Sequence, residues 1–419
     1  MAIKKSPSTI AAVSLLALAS LSQAIELPPA PSPSPAPVVK APTPTPVPTP
    51  RTISRTDEDA IVSALQSGVP LTDAQRQLLT TITQTVLQDI NARLFRLRAG
   101  VTLRDDGTVG SAGPTGGGKE VKDSKTVEAP FQHWEIFAAG NFGNFDLNDK
   151  GSHPGYESNT WVGTLGAEYH VNQQLSFGLA GSWVESGADL SRKIGSVDTA
   201  GLALSAYGSA VVDNFYVDLL YSFGTLEQDT HRNTLIGRTA HGENSAVTNA
   251  IQFNTGYTFK FGQFHTGPLA SLNWIHGDLD GYNETGGGSA NLAVPNQHVD
   301  SLISQFGWQA SYIAPTGFGL LVPQLHASWD HEYLDDADSV SATLLQSPFS
   351  SVTGTSVSRG GKFTATGRSA NPGSDYLNLG VGVGARFGDR VSLTLDYQTH
   401  LFQERATAHV ASIKVGFSF

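Results

Sequence analysis

The chain has 419 residues, a formal net charge of −11 and no cysteine. The missing cysteines exclude disulfide frameworks and thiolate chemistry, and the acidic balance argues against nucleic acid, which needs a basic face. Charged residues are only 15% and hydrophobic ones 39%, too few charges for an ordinary soluble surface and too little apolar content for a bundle of membrane helices.

The N-terminus reads as an export signal. Lys4 and Lys5 precede an apolar stretch from Ile10 to Leu21, and Ser22-Gln23-Ala24 offers small residues where a signal peptidase cuts. The stretch is shorter than the roughly 20 residues of a spanning helix, so residues 1–24 are expected to be removed. Residues 25–55 form a Pro-rich linker, with eleven of the 22 prolines between 28 and 50. Such a run favours polyproline II and acts as a semi-rigid spacer.

Residues 56–99 change to a helical character. Thr72-Asp73-Ala74-Gln75 has the form of a capping box. Leu79, Ile82, Val86, Ile90, Leu94 and Leu97 then recur at three- and four-residue steps, the helical period. Gly100 can end this helix, expected over about 72–99, and Arg93, Arg96 and Arg98 suit the negative end of its dipole. Ser67-Gly68-Val69-Pro70 reads as the turn of a helical hairpin. Residues 100–131 are Gly-rich and polar, and read as a flexible connector.

From 132 to 419 the period becomes two. Trp161, Leu165 and Tyr169 alternate with Thr164, Glu168 and His170; Phe215, Leu219 and Phe223 alternate with Tyr216, Asp218 and Ser222. One apolar and one small or polar face define a strand. Short turns are expected at Asn172-Gln173, Asp213-Asn214, Gly262-Gln263, Pro315-Thr316-Gly317 and Gly388-Asp389. Longer connections are expected near 147–158, 187–197, 227–245, 278–299 and 333–374. Short and long alternate, as in an up-and-down barrel with tight periplasmic turns and long external loops, here of about twelve strands. A sandwich of Greek keys would not sort its loops this way. At the C-terminus Ala411, Ile413, Val415, Phe417 and Phe419 are apolar at every second position. The expected fold is all-β: a twelve-stranded antiparallel transmembrane barrel of a Gram-negative outer membrane.

Several segments carry a family resemblance. Val86–Leu94 with Arg98 resembles the helix that precedes the barrel in the monomeric autotransporters of type V secretion. Gly281–Gly286, Ser301-Leu302, Gly307-Trp308, Pro323-Gln324-Leu325 and Trp329–Glu332 are similar to stretches of their barrels, as is the run from Leu377 through Arg386, Leu393 and Tyr397 to Phe419. The likeness covers about residues 83–419 and is nearest to barrels that carry lipase-esterase passengers. It implies an α-helix lying in the pore, a monomer placed by the outer-membrane barrel assembly machinery among lipids and lipopolysaccharide, and export of a passenger. The inward positions Glu168, Asp218, Gln324, Arg386, Asp396 and Lys414 are expected to bond the helix, with Arg93, Arg96 and Arg98 as its contacts. Phe417 and Phe419 are expected to serve as the assembly signal. Pro323 is tolerable in a strand where pairing is irregular.

The chain departs from the family in length. Only about 60 residues lie between the export signal and the pore helix, where the resemblance leads one to expect hundreds; Asn91 stands alone, without the Asn-Asn pair at which some members cleave themselves. Catalysis is not expected: no Gly-x-Ser-x-Gly elbow joins a strand to a helix, and Gly277-Asp278-Leu279-Asp280 lacks the serine an esterase block needs. The acidic run Asp330, His331, Glu332, Asp335, Asp336 and Asp338 matches no metal spacing, and reads as a solvated external loop. No cofactor is expected. The function expected is anchoring and export of the chain's own short N-terminal segment. A surface adhesin or receptor acting through the long loops, or a small channel, stands as the alternative.

Overall fold

The computed structural model describes residues 59, 61–98, 133–151, 153–334, 339–345, 363–388 and 390–419. The expected export signal, Pro-rich linker and connector lie outside the described residues, as do the side chains of residues 95–98, Arg96 and Arg98 among them.

Twelve long strands form the body. They are β1 Trp134–Leu147, β2 Tyr156–His170, β3 Leu175–Leu190, β4 Gly195–Val212, β5 Phe215–Asn233 and β6 Thr239–Tyr257. Then follow β7 Phe264–Leu279, β8 Gln297–Tyr312, β9 Gly319–Glu332, β10 Asp375–Phe387, β11 Val391–Leu401 and β12 Ala406–Ser418. Each pairs antiparallel with its sequence neighbours, and β12 pairs back onto β1 from Glu135↔Ser418 to Leu147↔Ala406, closing the ring. Closure leaves no sheet edge unpaired, which a lipid environment demands.

The period of two sorts the residues by face. Leu165 is 71% exposed and Leu202 64% on the outside, while Thr164, Ser182, Ser205 and Ser222 are buried on the inside. Inner hydroxyls bond across the pleat, Thr164 to Ser182 at 2.9 Å and Ser205 to Ser222 at 2.9 Å. So large an exposed apolar band suits lipid, and rings stand near its margins: Trp134 and Tyr169 at one end, Trp161 and Trp329 toward the other. Pro323 faces outward in the gap between the pairs Ser311↔Gln324 and Ala314↔Leu321, so its missing N–H falls where the ladder to β8 is interrupted.

The chain reverses as expected at Asn172-Gln173, Asp213-Asn214 and Gly262-Gln263, with Asp213 at φ 56° and Gly262 at 64°. The turn expected at Pro315-Thr316-Gly317 is displaced to Gly317-Phe318, because Pro315 and Thr316 pair with Leu320 and Gly319, and Asp389 of the last one lies outside the described residues. The long connections are partly corrected. β5 and β6 each run 19 residues, against roughly 9–11 needed to cross a membrane. Most of 227–245 is therefore paired strand, with its turn between Asn233 and Thr239; 187–197 is likewise strand around a short helical turn, Ser191–Lys193. Beyond the lipid the strands lose their apolar face but keep their hydrogen bonds, and hydropathy no longer marks them. Nor are 278–299 and 333–374 structureless. Strands Tyr282–Asn283, Leu292–Val294, Ser339–Leu344 and Thr364–Arg368 from these two connections form a separate four-stranded sheet at the long-connection end.

Among the described residues one long helix, α1 Val69–Arg98, lies inside the ring, and a π-turn, Ala64–Gly68, leads directly into it. The expected hairpin turn at 67–70 is absent. The wider π-turn accommodates Pro70, which lacks an N–H and would otherwise crowd the carbonyl four residues earlier. Gly68 serves close packing instead: a Cβ there would lie 2.4 Å from Leu292 Cδ1. Thr72 is inside the helix, its hydroxyl bonded to the Gly68 carbonyl at 3.0 Å.

Candidate functional site: the helix in the lumen

The apolar side of α1 rests against β1–β7. Leu71, Leu78, Leu79, Ile82 and Val86 pack with Val162, Val184, Val197 and Leu226, which point inward from β2 to β5. Leu87, Ile90 and Leu94 pack with Phe137, Ala180, Tyr207 and Leu220. Each such side chain contributes about 1.5–3 kcal/mol on burial, whereas a buried ion pair roughly breaks even against its desolvation. Apolar packing therefore holds the helix, and the charges fix its register.

At the end of the short turns sits Arg93, wholly buried. Its Nη1 donates to Glu135 at 2.6 Å and its Nε to Glu168 at 2.9 Å. The guanidinium lies 4.7 Å from the Phe137 ring centroid, and the Tyr207 hydroxyl donates to Glu168 at 3.0 Å. One turn earlier Asp89 pairs with Lys414 of β12 at 2.8 Å, and the same ammonium bonds the Asp89 carbonyl. Of the inward residues expected to hold the helix, Glu168 and Lys414 do so directly; Asp218 accepts from Ser209 of the wall.

At the opposite end the cation comes from the barrel. Arg232 of β5 is fully buried and grips Glu284 with two bonds, at 2.8 and 2.6 Å. It also donates to Ser67 at 3.0 Å, Ser63 at 3.3 Å and the Ala290 carbonyl at 2.6 Å. The planar fork of arginine suits so many simultaneous acceptors. Around it Ala64 and Val69 pack with Tyr282, Leu292, Val340 and Ala342 of the small sheet. Asp73, read as part of a cap, accepts from Ser369 at 2.5 Å and from the Ala370 amide at 2.8 Å. Sequence reasoning did not single out Arg232, because it lies in the polar extension of β5.

The acidic run is divided by the pleat. Asp330 is buried in the lumen, bonded to Ser328 at 2.5 Å and Gln305 at 2.7 Å. His331 points outward to Asp375 at 2.9 Å, and Glu332 accepts from Ser301 at 2.5 Å. Asp335, Asp336 and Asp338 lie outside the described residues. The reading of this run as one solvated loop is thus corrected at Asp330. Phe417 and Phe419 both face outward at the short-turn end, their rings 6.2 Å apart.

Outside the membrane, the first and second long connections are tied together. Asp149 accepts from Ser191 Oγ and the Gly155 amide, both at 2.5 Å, and from Arg192 at 3.0 Å. These donors pull its carboxyl down to about 2, led by Ser191.

The family described as "Autotransporter beta-domain" matches residues 136–398. The chain is 25% identical over 301 residues to "Outer membrane protein A" of Rickettsia rickettsii, covering 69% of this chain and 13% of that protein. It is 22% identical over 272 residues to "Esterase EstA" of Pseudomonas aeruginosa, covering 63% of this chain and 40% of the esterase. The chain thus spans less than half the length of these curated relatives. Among solved structures, the translocator domain of autotransporter NalP from Neisseria meningitidis shares the fold, with TM-score 0.54, 14% identity, and 69% of this chain and 90% of that one covered. So does the β domain of the Bordetella autotransporter Brka, at TM-score 0.51, 14% identity, and 68% and 100% coverage. The chain belongs to the autotransporter β-domain family, and its ring is an outer-membrane translocator barrel.

Proposed function

We propose that the barrel anchors the chain in the outer membrane and carries its own N-terminal segment, residues 25 to about 70, to the cell surface. The observation behind this reading is the direction of the helix. Its N-terminal end is gripped by Arg232 and the small sheet at the long-connection end, and Arg93 is held at the short-turn end beside β1. Long connections face outward in such barrels, so the polypeptide before the helix leaves on the external side. In this reading Arg93, Arg96 and Arg98 secure the lower helix, residues 1–24 are removed, and 100–131 stay periplasmic. The chain has no catalysis of its own; esterase activity belongs to the relative named for it.

Protease treatment of intact cells tests the reading. Cleavage within residues 25–60, with the barrel left whole, is expected. Full protection until the outer membrane is broken would reverse the orientation. The assembly machinery is proposed to read the outward aromatics Phe417 and Phe419 at the end of the chain. Deleting Phe419 should then lower the yield of heat-modifiable barrel in outer-membrane fractions severalfold. An unchanged yield would remove Phe419 from that role.

A further inference from the structure

The small sheet at the long-connection end has no second layer of its own. Its strands hold only two, three, six and five residues. They alternate by face: Leu292, Val294, Val340, Ala342, Leu344 and Ala365 are buried, while Asn283, Thr364 and Thr366 are exposed. Strands this short persist only where their apolar side is covered. Among the described residues the cover is the helical segment. Ala64 and Val69, with Ile61 beside them, complete this apolar cluster, and no side chain of the twelve long strands enters it. The fit is close from both partners. A Cβ at Gly68 would lie 2.4 Å from Leu292 Cδ1, and one at Gly367 would lie 2.6 Å from Val69 Cγ1.

Polar bonds tie the helix to both connections that build the sheet. The Tyr282 hydroxyl donates to Gln75 Oε1 at 2.9 Å, Arg76 Nε donates to the His298 carbonyl at 3.1 Å, and Gln77 donates to the Ala370 carbonyl at 2.7 Å. The wall holds the sheet near one edge, where Thr285 exchanges backbone bonds of 2.8 Å with His241 of β6. Without the helical segment the apolar side would turn to water and to inward hydroxyls such as Ser182 and Ser205.

We propose that this sheet is a lid that folds only over a seated helix. It is open while the segment before residue 70 is away and shut once that segment has arrived, with the β6 contact as its hinge. The coupling rests on these contacts alone; only its timing, as the closing step of export, rests on the proposed function.

Two full-length variants displace the helix from opposite sides. Gly68 has helical backbone, so Gly68→Glu keeps the local conformation and sets its new side chain against Leu292 and Ala342 of the sheet. The double variant Leu78→Asp, Ile82→Asp detaches the helix from the barrel wall, in a cluster that contains no residue of the sheet. Variants that keep heat-modifiable migration are compared with the parent by amide hydrogen exchange, folded in detergent. In both, the amides of residues 292–294 and 339–344 should exchange at least about tenfold faster, while those of β3 keep the parental rate. Parental protection of 292–294 and 339–344 in the Gly68→Glu variant would show that the sheet folds alone, and overturns the proposal. So does a protected sheet above unprotected helix amides in the double variant. Purified protein suffices for every arm, so failure here leaves the surface-exposure test untouched, and the reverse.

Discussion

The two ends of the helix are held by opposite arrangements. At the short-turn end the helix supplies the cation, Arg93, and the barrel supplies two carboxylates. At the long-connection end the barrel supplies the cation, Arg232, and what meets it from the helical segment is the serine hydroxyls of Ser63 and Ser67 beside an apolar π-turn. The lower contact is a charge held in a dry wall, intolerant of losing one partner. The upper one is a packed cap in which Arg232 links strand, connection and helix at once, and neighbouring contacts share its load.

This asymmetry sets an order of sensitivity. Arg93→Ala strands Glu135 and Glu168 without a counter-charge and should cost about 3–5 kcal/mol, read as a lower midpoint in denaturant unfolding of the folded barrel. Combining Arg93→Met with Glu135→Gln and Glu168→Gln should recover most of that loss, because neither position is left as a buried carboxylate without its counter-charge. If the single and triple variants are equally destabilised, the lower end is held by packing alone. Arg232→Ala strands one carboxylate, Glu284, and should cost less than the Arg93 change; protease access to residues 61–70 should rise while the lower helix stays protected. Loss of protection along the whole helix would mean that the two ends act as one unit.

The smallest effect concerns the tie between the first two long connections. Asp149 has its carboxyl lowered, so the stabilisation is complete above the ordinary value near 3.8 and is lost as pH falls through about 2. Exchange protection of the Gly155 amide, which donates to Asp149, should persist at pH 4 and fall toward pH 2; Asp149→Asn should abolish that pH dependence.

Much of this was readable from residue order. Wherever lipid faces the wall, alternation marks the strands, because apolar and small residues must take opposite sides. The helix was visible from Leu79 to Leu94, since those residues meet one continuous apolar wall. Legibility fails where these constraints lapse. Above the membrane β5 and β6 continue on backbone bonds alone, and Arg232 is hidden there. Gly68 and Pro70 resemble a turn by type, but the reason for Gly68 is a contact with Leu292, far along the chain. Lys414 was recognisable as facing inward, yet nothing local names Asp89 as its partner.

The position of the two lower ion pairs has a mechanical consequence. Glu135 stands on the first strand and Lys414 on the last, so Arg93 and Asp89 straddle the joint where the ring is sewn shut. The rod is thus a rivet across its own cylinder's final weld. Prising β1 from β12 must separate opposite charges in a dry place, and withdrawing the rod must loosen the joint. A cylinder fastened this way resists sideways opening most strongly while its helix is at home.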